Sequence, residues 1–334
     1  NYGEGTTLGL HFTLGTIGNA LSGTPLIEYA YFGGTFALTF ILGYLVYIFS
    51  SRNTIKKYWG HGAGIVLILI CIHYLLPTYG PQQATTVGII TTDFKSMNDD
   101  EAITMLTEGN KRLEEMTRSL ASSSLDIIVY PEDTRFLSLL TNEKRENIFS
   151  LFPKTLFIDG DTSKVNGDLV NVSLFYDTAL EKAKKRGKRF LFPFNEYLPF
   201  FLAPIANTLI PQTTKETYLK NHTFTPIYSD MTIPFKDLRV GTLICSEIIS
   251  FDTLQKLKEE KPSIVFFQSR LEVFHNNPLF IMHLNSFTKI AAAQLRRPLI
   301  SSSNGAPSLI VSPYGHIVET VPTGFSSEIY TFSK

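Results

Sequence analysis

A cysteine that ends an apolar, strand-like run is the first residue with a route to chemistry. The run is LRVGTLIC, 238–245, and Cys245 is followed at once by Ser246 and Glu247. A nucleophile at the C-terminal end of a strand stands at the edge of a sheet, where a ligand can reach it. Cysteine is more often a small buried hydrophobe. Its thiol reacts as the thiolate, which at neutral pH needs a base or a nearby cation. Two other places in the chain supply such groups. Glu132 follows an apolar run in IIVYPEDT, so it leaves a sheet edge in the same way. A partly dehydrated carboxylate has a raised pKa and can take a thiol proton; taken alone, Glu132 is equally a solvated loop acid beside Asp133. Lys188 opens the stretch KRFLFPFNEYLPF, in which the uncharged FLFPF precedes Asn195 and Glu196. An ammonium close to the thiol would stabilise both the thiolate and a tetrahedral oxyanion. The alternative is a basic surface patch made of Lys182, Lys184, Lys185, Arg186, Lys188 and Arg189.

The elements that must position these residues alternate in type. Strand patterns fall at 87–93, 125–130, 155–159, 168–176, 238–245, 263–267, 298–303 and 308–312. Between them, Ile103, Leu106, Leu113, Met116 and Leu120 recur at helical spacing behind an Asn98 or Asp99 cap. Helices are also expected at 251–260 and 279–296. Strands interleaved with helices predict an α/β domain. No internal repeat or low-complexity tract interrupts it.

Upstream of residue 81 the texture is different. Residues 31–49 carry no charge and approach the ~20 residues needed to cross a ~30 Å hydrocarbon core. Residues 59–79 form a second candidate span, with Trp59 and Tyr79 as interfacial aromatics. The connecting segment carries Arg52, Lys56 and Lys57, which the positive-inside rule places in the cytoplasm. Two domains are thus expected: a membrane region over 1–80 and an extracytoplasmic domain over 81–334. The 1–30 segment reads as interfacial or re-entrant without a decision between them. The start at Asn1, with no signal peptide, reads as a chain whose upstream part is missing. The whole chain is 44% hydrophobic and 18% charged, which suits a part-membrane, part-aqueous protein. Lys+Arg and Asp+Glu balance at 30 each, so no global charge points to nucleic acid. The two cysteines, Cys71 and Cys245, lie in regions of different texture, which argues against a disulfide framework and a CxxC metal site.

Glu132, Lys188 and Cys245, in that order and each beside a strand, resemble the Glu-Lys-Cys set of the nitrilase (carbon-nitrogen hydrolase) superfamily. Two spans leading into the domain, the run from Lys188 to Glu196 and Cys-Ser-Glu at 245–247 narrow the resemblance to the apolipoprotein N-acyltransferase family. QLRRPLISSSNGAPSLIVSPYGHIV, 294–318, is similar to that family's Arg-Pro…Asn…Gly segment and places Asn304 at its Asn. The resemblance implies an α-β-β-α sandwich preceded by transmembrane helices. It implies Cys245 as nucleophile, Glu132 as general base and Lys188 as oxyanion stabiliser. Glu196 and Glu247 would be supporting acids that orient Lys188 and the incoming amine. The implied reaction moves an acyl chain from a membrane phospholipid, through a Cys245 thioester, to the N-terminal amine of a diacylglyceryl-lipoprotein. It needs neither metal nor organic cofactor. The implied location is the bacterial inner membrane, with the catalytic domain on the periplasmic side. Ser246 departs from the family's Tyr, Asn195 from its Gly, Ala291 from its Arg and Gln294 from its acid. QSRLEVFHNNP, 268–278, keeps only Phe274 of the Asn-Asp-x-Trp-Phe stretch. The rivals are a membrane-anchored amidase with a closed, polar pocket and a non-catalytic scaffold. The apolar, Pro-punctuated segment 197–211 is either an acyl-guiding loop or packing for the domain's own core.

Overall fold

The computed structural model describes residues 16–50, 52–75, 78, 80–94, 99–165, 167–179, 182–192, 196, 224–272 and 277–332. Tyr79, Asn98, Asn195, Phe274 and the segment 197–211, singled out from the sequence, lie outside the described residues.

Two six-stranded sheets form the body of the chain. In the first, the order is β12 (Ser326–Phe332), β1 (Thr85–Thr91), β2 (Ile127–Val129), β3 (Leu156–Val165), β4 (Asp168–Asp177) and β5 (Lys182–Gly187). In the second it is β11 (Ile317–Val321), β10 (Ser308–Val311), β9 (Leu299–Asn304), β8 (Ile264–Arg270), β7 (Leu238–Ile244) and β6 (Thr232–Phe235). The central strands β1-β2-β3 and β7-β8-β9 are parallel, with antiparallel strands outside them. Their sequences are apolar on both faces, as strands covered on both sides must be. In β8, Ile264 and Phe266 point into the layer between the sheets, while Val265 and Phe267 point out toward helices. Val87, Ile89, Val129 and Ile158 meet Val240, Phe266 and Ile300 in that inner layer.

Helices cover both outer faces. On the first sheet, α3 (Asp99–Ser119) and α5 (Asn142–Leu151) contribute Leu113 and Ile148 to a cluster with Ile128 and Phe157; α4 (Phe136–Leu139) adds Phe136. On the second, α6 (Phe251–Glu259) and α7 (Pro278–Leu295) bring Leu254, Leu257, Phe287, Ala291 and Leu295 against Leu243 and Phe267. The arrangement is the α-β-β-α sandwich expected. Strand β5 was not foreseen, because its residues KAKKRG carry no apolar run. Edge strands β6, β11 and β12 are short or half-exposed and escape the same test.

Upstream, two short 3₁₀ segments, Ile17–Gly23 and Pro25–Tyr29, lead into α1 (Ala30–Phe49) and α2 (Arg52–Leu75). The continuous stretch Pro25–Phe49 has mean hydropathy 1.8 and is long and apolar enough to cross a membrane. In α2 the apolar part is the shorter Gly60–Leu75. Arg52 and the residues after it, read from sequence as part of a connecting loop, are the first turns of α2. Phe40, Val46, Phe49, Val66, Leu67 and Leu75 are exposed along the two helices.

The two helices dock on the far face of α7, where Leu38, Ile41 and Ile72 meet Ile290 and Ala293. A buried ion pair, Arg296 Nη1 to Glu28 Oε2 at 2.9 Å, reinforces the seam, and His73 Nδ1 lies 2.7 Å from the other Glu28 oxygen. The helix α1 kinks at Gly33 and Gly34. Gly34 has φ +54°, and a Cβ there would sit 2.5 Å from Gln294 Oε1. A side chain in the left-handed region costs about 1–2 kcal/mol. Gly34→Ala is expected to lower the thermal unfolding midpoint by roughly 2–6 °C, read by circular dichroism in detergent. An unchanged midpoint would mean that the kink does not hold the docked helices.

Candidate active site

Glu132 stands on a tight turn after β2. The turn is tied to β3 by Tyr130 N–H to Ile158 O at 2.9 Å and Arg135 N–H to Gly160 O at 2.8 Å. Asp133 and Arg135 take positive φ, +55° and +54°, as the reversal demands. Gly160 makes the close approach possible. A Cβ there would lie 2.5 Å from Asp133 N, 2.6 Å from Pro131 O and 2.7 Å from Glu132 Cα.

Lys188 follows β5 directly. Its backbone N–H donates to Asn171 O at 2.8 Å and its carbonyl accepts from Ile227 N–H at 2.9 Å. Its ammonium is buried, 2.8 Å from Glu196 Oε1 and 3.4 Å from Glu132 Oε1. Glu196 is itself fixed, accepting from Asn171 Nδ2 at 2.6 Å and from Phe192 N–H at 2.6 Å.

Cys245 follows β7 directly and begins the 3₁₀ turn Cys245–Ile249 with φ +47°. Non-glycine residues rarely hold that conformation, and such strain clusters at functional positions. The elbow is kept in shape by Glu247, which is fully buried. Arg186 grips it with both arms, at 2.5 and 2.8 Å. Two backbone groups also donate to it, Ile244 N–H at 2.8 Å and Arg189 N–H at 2.7 Å. Removing one partner from such a buried pair costs about 3–5 kcal/mol. Ser246 fastens the same turn by donating its hydroxyl to Phe190 O at 2.7 Å.

The three residues from distant parts of the chain therefore meet. The Glu132 carboxyl and the Cys245 thiol act on each other directly, the carboxylate raising the thiol and the thiol lowering the carboxyl. Burial pushes the Glu132 carboxyl up to about 7; Lys188 opposes the rise and Glu196 adds to it. Burial, then the charge of Glu132, pushes the Cys245 thiol well up, against the pull of Lys188. Burial disfavours the Lys188 ammonium, but Cys245, Glu132 and Glu196 outweigh that and hold its pKa above the ordinary lysine value. The site thus holds one fixed cation beside a carboxyl that ionises near neutral pH and a thiol that burial and that carboxylate keep protonated.

Half-buried Cys245 also opens on a partly open, narrow pocket. Its walls are chiefly apolar: Phe192, Ile248, Leu271, Phe280, Leu284 and Phe287, with His283 at one side. Phe280, His283, Leu284 and Phe287 come from α7.

The other residues singled out from sequence take different places. Glu196 joins the trio through Lys188, whereas Glu247 faces Arg186 and the elbow backbone. Asn304 lies at the end of β9, accepting from Thr92 Oγ1 at 2.8 Å and Phe94 N–H at 2.7 Å and donating to Glu272 at 2.5 Å. Arg186, Asn171 and Gln268 escaped sequence reading. Arg186 sat inside an apparent surface patch, yet it and Lys188 are buried while Lys184 and Lys185 are exposed. Gln268 bridges the sheets, donating to Tyr130 O at 2.7 Å and accepting from Ser173 Oγ at 2.5 Å.

Because Gly160 sets the seat of Glu132, Gly160→Ala is expected to slow alkylation of Cys245 by iodoacetamide roughly tenfold, with the far-ultraviolet circular dichroism unchanged. The measurement is made in a Cys71→Ser background, since Cys71 is exposed. An unchanged rate would show that the turn tolerates the methyl group.

No protein-family model matches the sequence. The chain is 21% identical over 326 residues to an apolipoprotein N-acyltransferase of Vibrio parahaemolyticus, which covers 89% of this chain and 60% of that protein. It thus spans about 60% of the length of that curated relative. Among solved structures, it is similar to a glutamine-dependent NAD+ synthetase from Acinetobacter baumannii, with TM-score 0.53, 14% identity, and coverage of 75% of this chain and 46% of that one. It is similar also to Saccharomyces cerevisiae Nit3, of branch 10 of the nitrilase superfamily, with TM-score 0.53, 14% identity, and coverage of 75% and 90%. The chain therefore has the nitrilase-superfamily fold, and its sequence resembles that of an apolipoprotein N-acyltransferase over most of its length.

Proposed function

We propose that this chain is a membrane-anchored acyltransferase that moves an acyl chain from a phospholipid, through a Cys245 thioester, to the N-terminal amine of a diacylglyceryl-lipoprotein. The observation that carries this reading is the double exposure of Cys245. Its sulfur faces the buried Glu132–Lys188 pair on one side and an apolar cavity on the other. A hydrolase of small polar amides has no use for walls made of Phe and Leu, whereas an acyl chain is bound by such walls.

In the first half-reaction Glu132 takes the thiol proton, and the thiolate of Cys245 attacks the ester carbonyl carbon. The oxyanion that forms is stabilised by the Lys188 ammonium. The carbon–oxygen ester bond then breaks, and the departing alkoxide of the lysophospholipid takes the proton held by Glu132. In the second half-reaction the amine nitrogen attacks the thioester carbonyl and gives its proton to Glu132. The carbon–sulfur bond breaks, the amide remains, and the proton returns to the Cys245 sulfur. Glu196 holds Lys188 in place throughout. In this reading α1 and α2 anchor the chain in a bacterial inner membrane, and the domain from residue 81 works on the periplasmic side.

Incubation with phospholipid micelles is expected to add the mass of one acyl chain to Cys245, removable by hydroxylamine and absent in Cys245→Ala. No adduct with any phospholipid would overturn the acyltransferase reading. The base must be ionised to accept a proton, and Glu132 lies near 7. The rate of adduct formation is therefore expected to be low at pH 5, to rise through about 7 and to level off above it. Glu132→Gln is expected to lose roughly 10²–10⁴-fold in that rate. A flat profile from pH 5 to 8 would remove Glu132 from the role of base.

A further inference from the structure

Glu132 is flanked by two residues that are gripped from the opposite sheet. On one side, the carbonyl of Tyr130 accepts from Gln268 Nε2 of β8 at 2.7 Å. On the other, the carboxylate of Asp133 accepts from Arg270 Nη1, also of β8, at 2.6 Å. Strand β8 is the parallel neighbour of β7, and Cys245 follows the end of β7 directly. Within its own sheet, Asp133 accepts from Arg135 Nε at 2.6 Å and Thr162 Oγ1 at 3.0 Å. Arg270 continues the chain of contacts outward. Its Nε donates to Glu272, and Glu272 accepts from Asn304 Nδ2 at 2.5 Å.

We infer that Arg270 is a positioning residue: through Asp133 it straps the turn bearing Glu132 to β8, and so sets the distance from Glu132 to Cys245. The inference rests on Glu132 acting as the base for Cys245. Arg270 does not touch the thiol. A placement error of about 1 Å at a reacting group costs up to about a hundredfold in rate, so a strap of this kind has a measurable effect.

Charge alone makes a different forecast from geometry, and that separates them. Glu132 is faced by Lys188, Glu196, Cys245 and Arg270. Asp133 is faced by Arg135 and Arg270, with Asp159 and Asp161 of β3 close by. Arg270→Gln removes a positive charge and Asp133→Asn a negative one. Acting through space, the two would shift thiolate formation at Cys245 in opposite directions. Acting as one strap, both slow it, and the double variant is no slower than the worse single one.

The test is the rate of Cys245 alkylation by iodoacetamide from pH 5 to 9 in a Cys71→Ser background, together with the rate of acyl-adduct formation from phospholipid micelles. Arg270→Gln and Asp133→Asn are each expected to slow both reactions roughly tenfold at pH 7. Arg270→Lys keeps one donor to Asp133 and is expected to recover part of the loss. Opposite shifts in the two single variants, additive losses in the double, or a wild-type profile in Arg270→Gln would each overturn the inference. If Arg270→Gln does not fold, Arg270→Met, which also removes the charge at similar size, carries the same comparison with Asp133→Asn. Glu132→Gln is the reference. If it leaves alkylation unchanged, the base assignment fails; if it slows alkylation and Arg270→Gln does not, the strap alone fails.

Discussion

A buried ammonium must have counter-charge within a few ångströms, because its desolvation is otherwise prohibitive. Lys188 meets that requirement with Glu196 at 2.8 Å and Glu132 at 3.4 Å. One cation facing two carboxylates leaves a surplus of negative charge, and this decides how the site behaves. The oxygens of Glu196 are committed to Lys188, Asn171 and the Phe192 backbone. Glu132 has the longer contact and the raised pKa, so the exchangeable proton falls to it and to Cys245. The site's poise near neutral pH follows from the burial of Glu132, which its share of one ammonium offsets only in part.

The sandwich is what allows the sharing. Glu132 and Lys188 come from the first sheet and Cys245 from the second, so no single sheet could assemble the trio. Precision comes from polar ties across the layers. Arg186, the residue two before Lys188, holds Glu247, the residue two after Cys245. Gln268 holds Tyr130, two residues before Glu132. Each reactive position thus has a neighbour anchored to the opposite sheet. An apolar inner layer gives the sheets their spacing, and these ties give them their register.

The chain's sequence was informative where physics acts locally. Apolar runs ending in Glu132 and Cys245 announced strand ends, and the central strands were legible because both of their faces are apolar. Legibility failed where the deciding partner is remote. Arg186 is indistinguishable in sequence from exposed Lys184 and Lys185; only its pairing with Glu247, 61 residues away, removes it from water. Strand β5 is recognisable only because β4 lies beside it. The helices α4 and α5 carry too little apolar periodicity to be seen in advance. The placement of Glu247 on Arg186 rather than on Lys188 also depends on the elbow at Cys245, whose positive φ no residue preference foretells.

Helix α7 has two occupations. Near its start, Phe280, His283, Leu284 and Phe287 wall the cavity beside Cys245; toward its end, Ile290, Ala293 and Gln294 receive α1 and its kink. An α-helix of this length is a stiff rod, so its two ends cannot be displaced independently. The seat of α1 and the wall beside the Cys245 sulfur are thus built from one continuous element, so the upstream helices and the pocket share a single support.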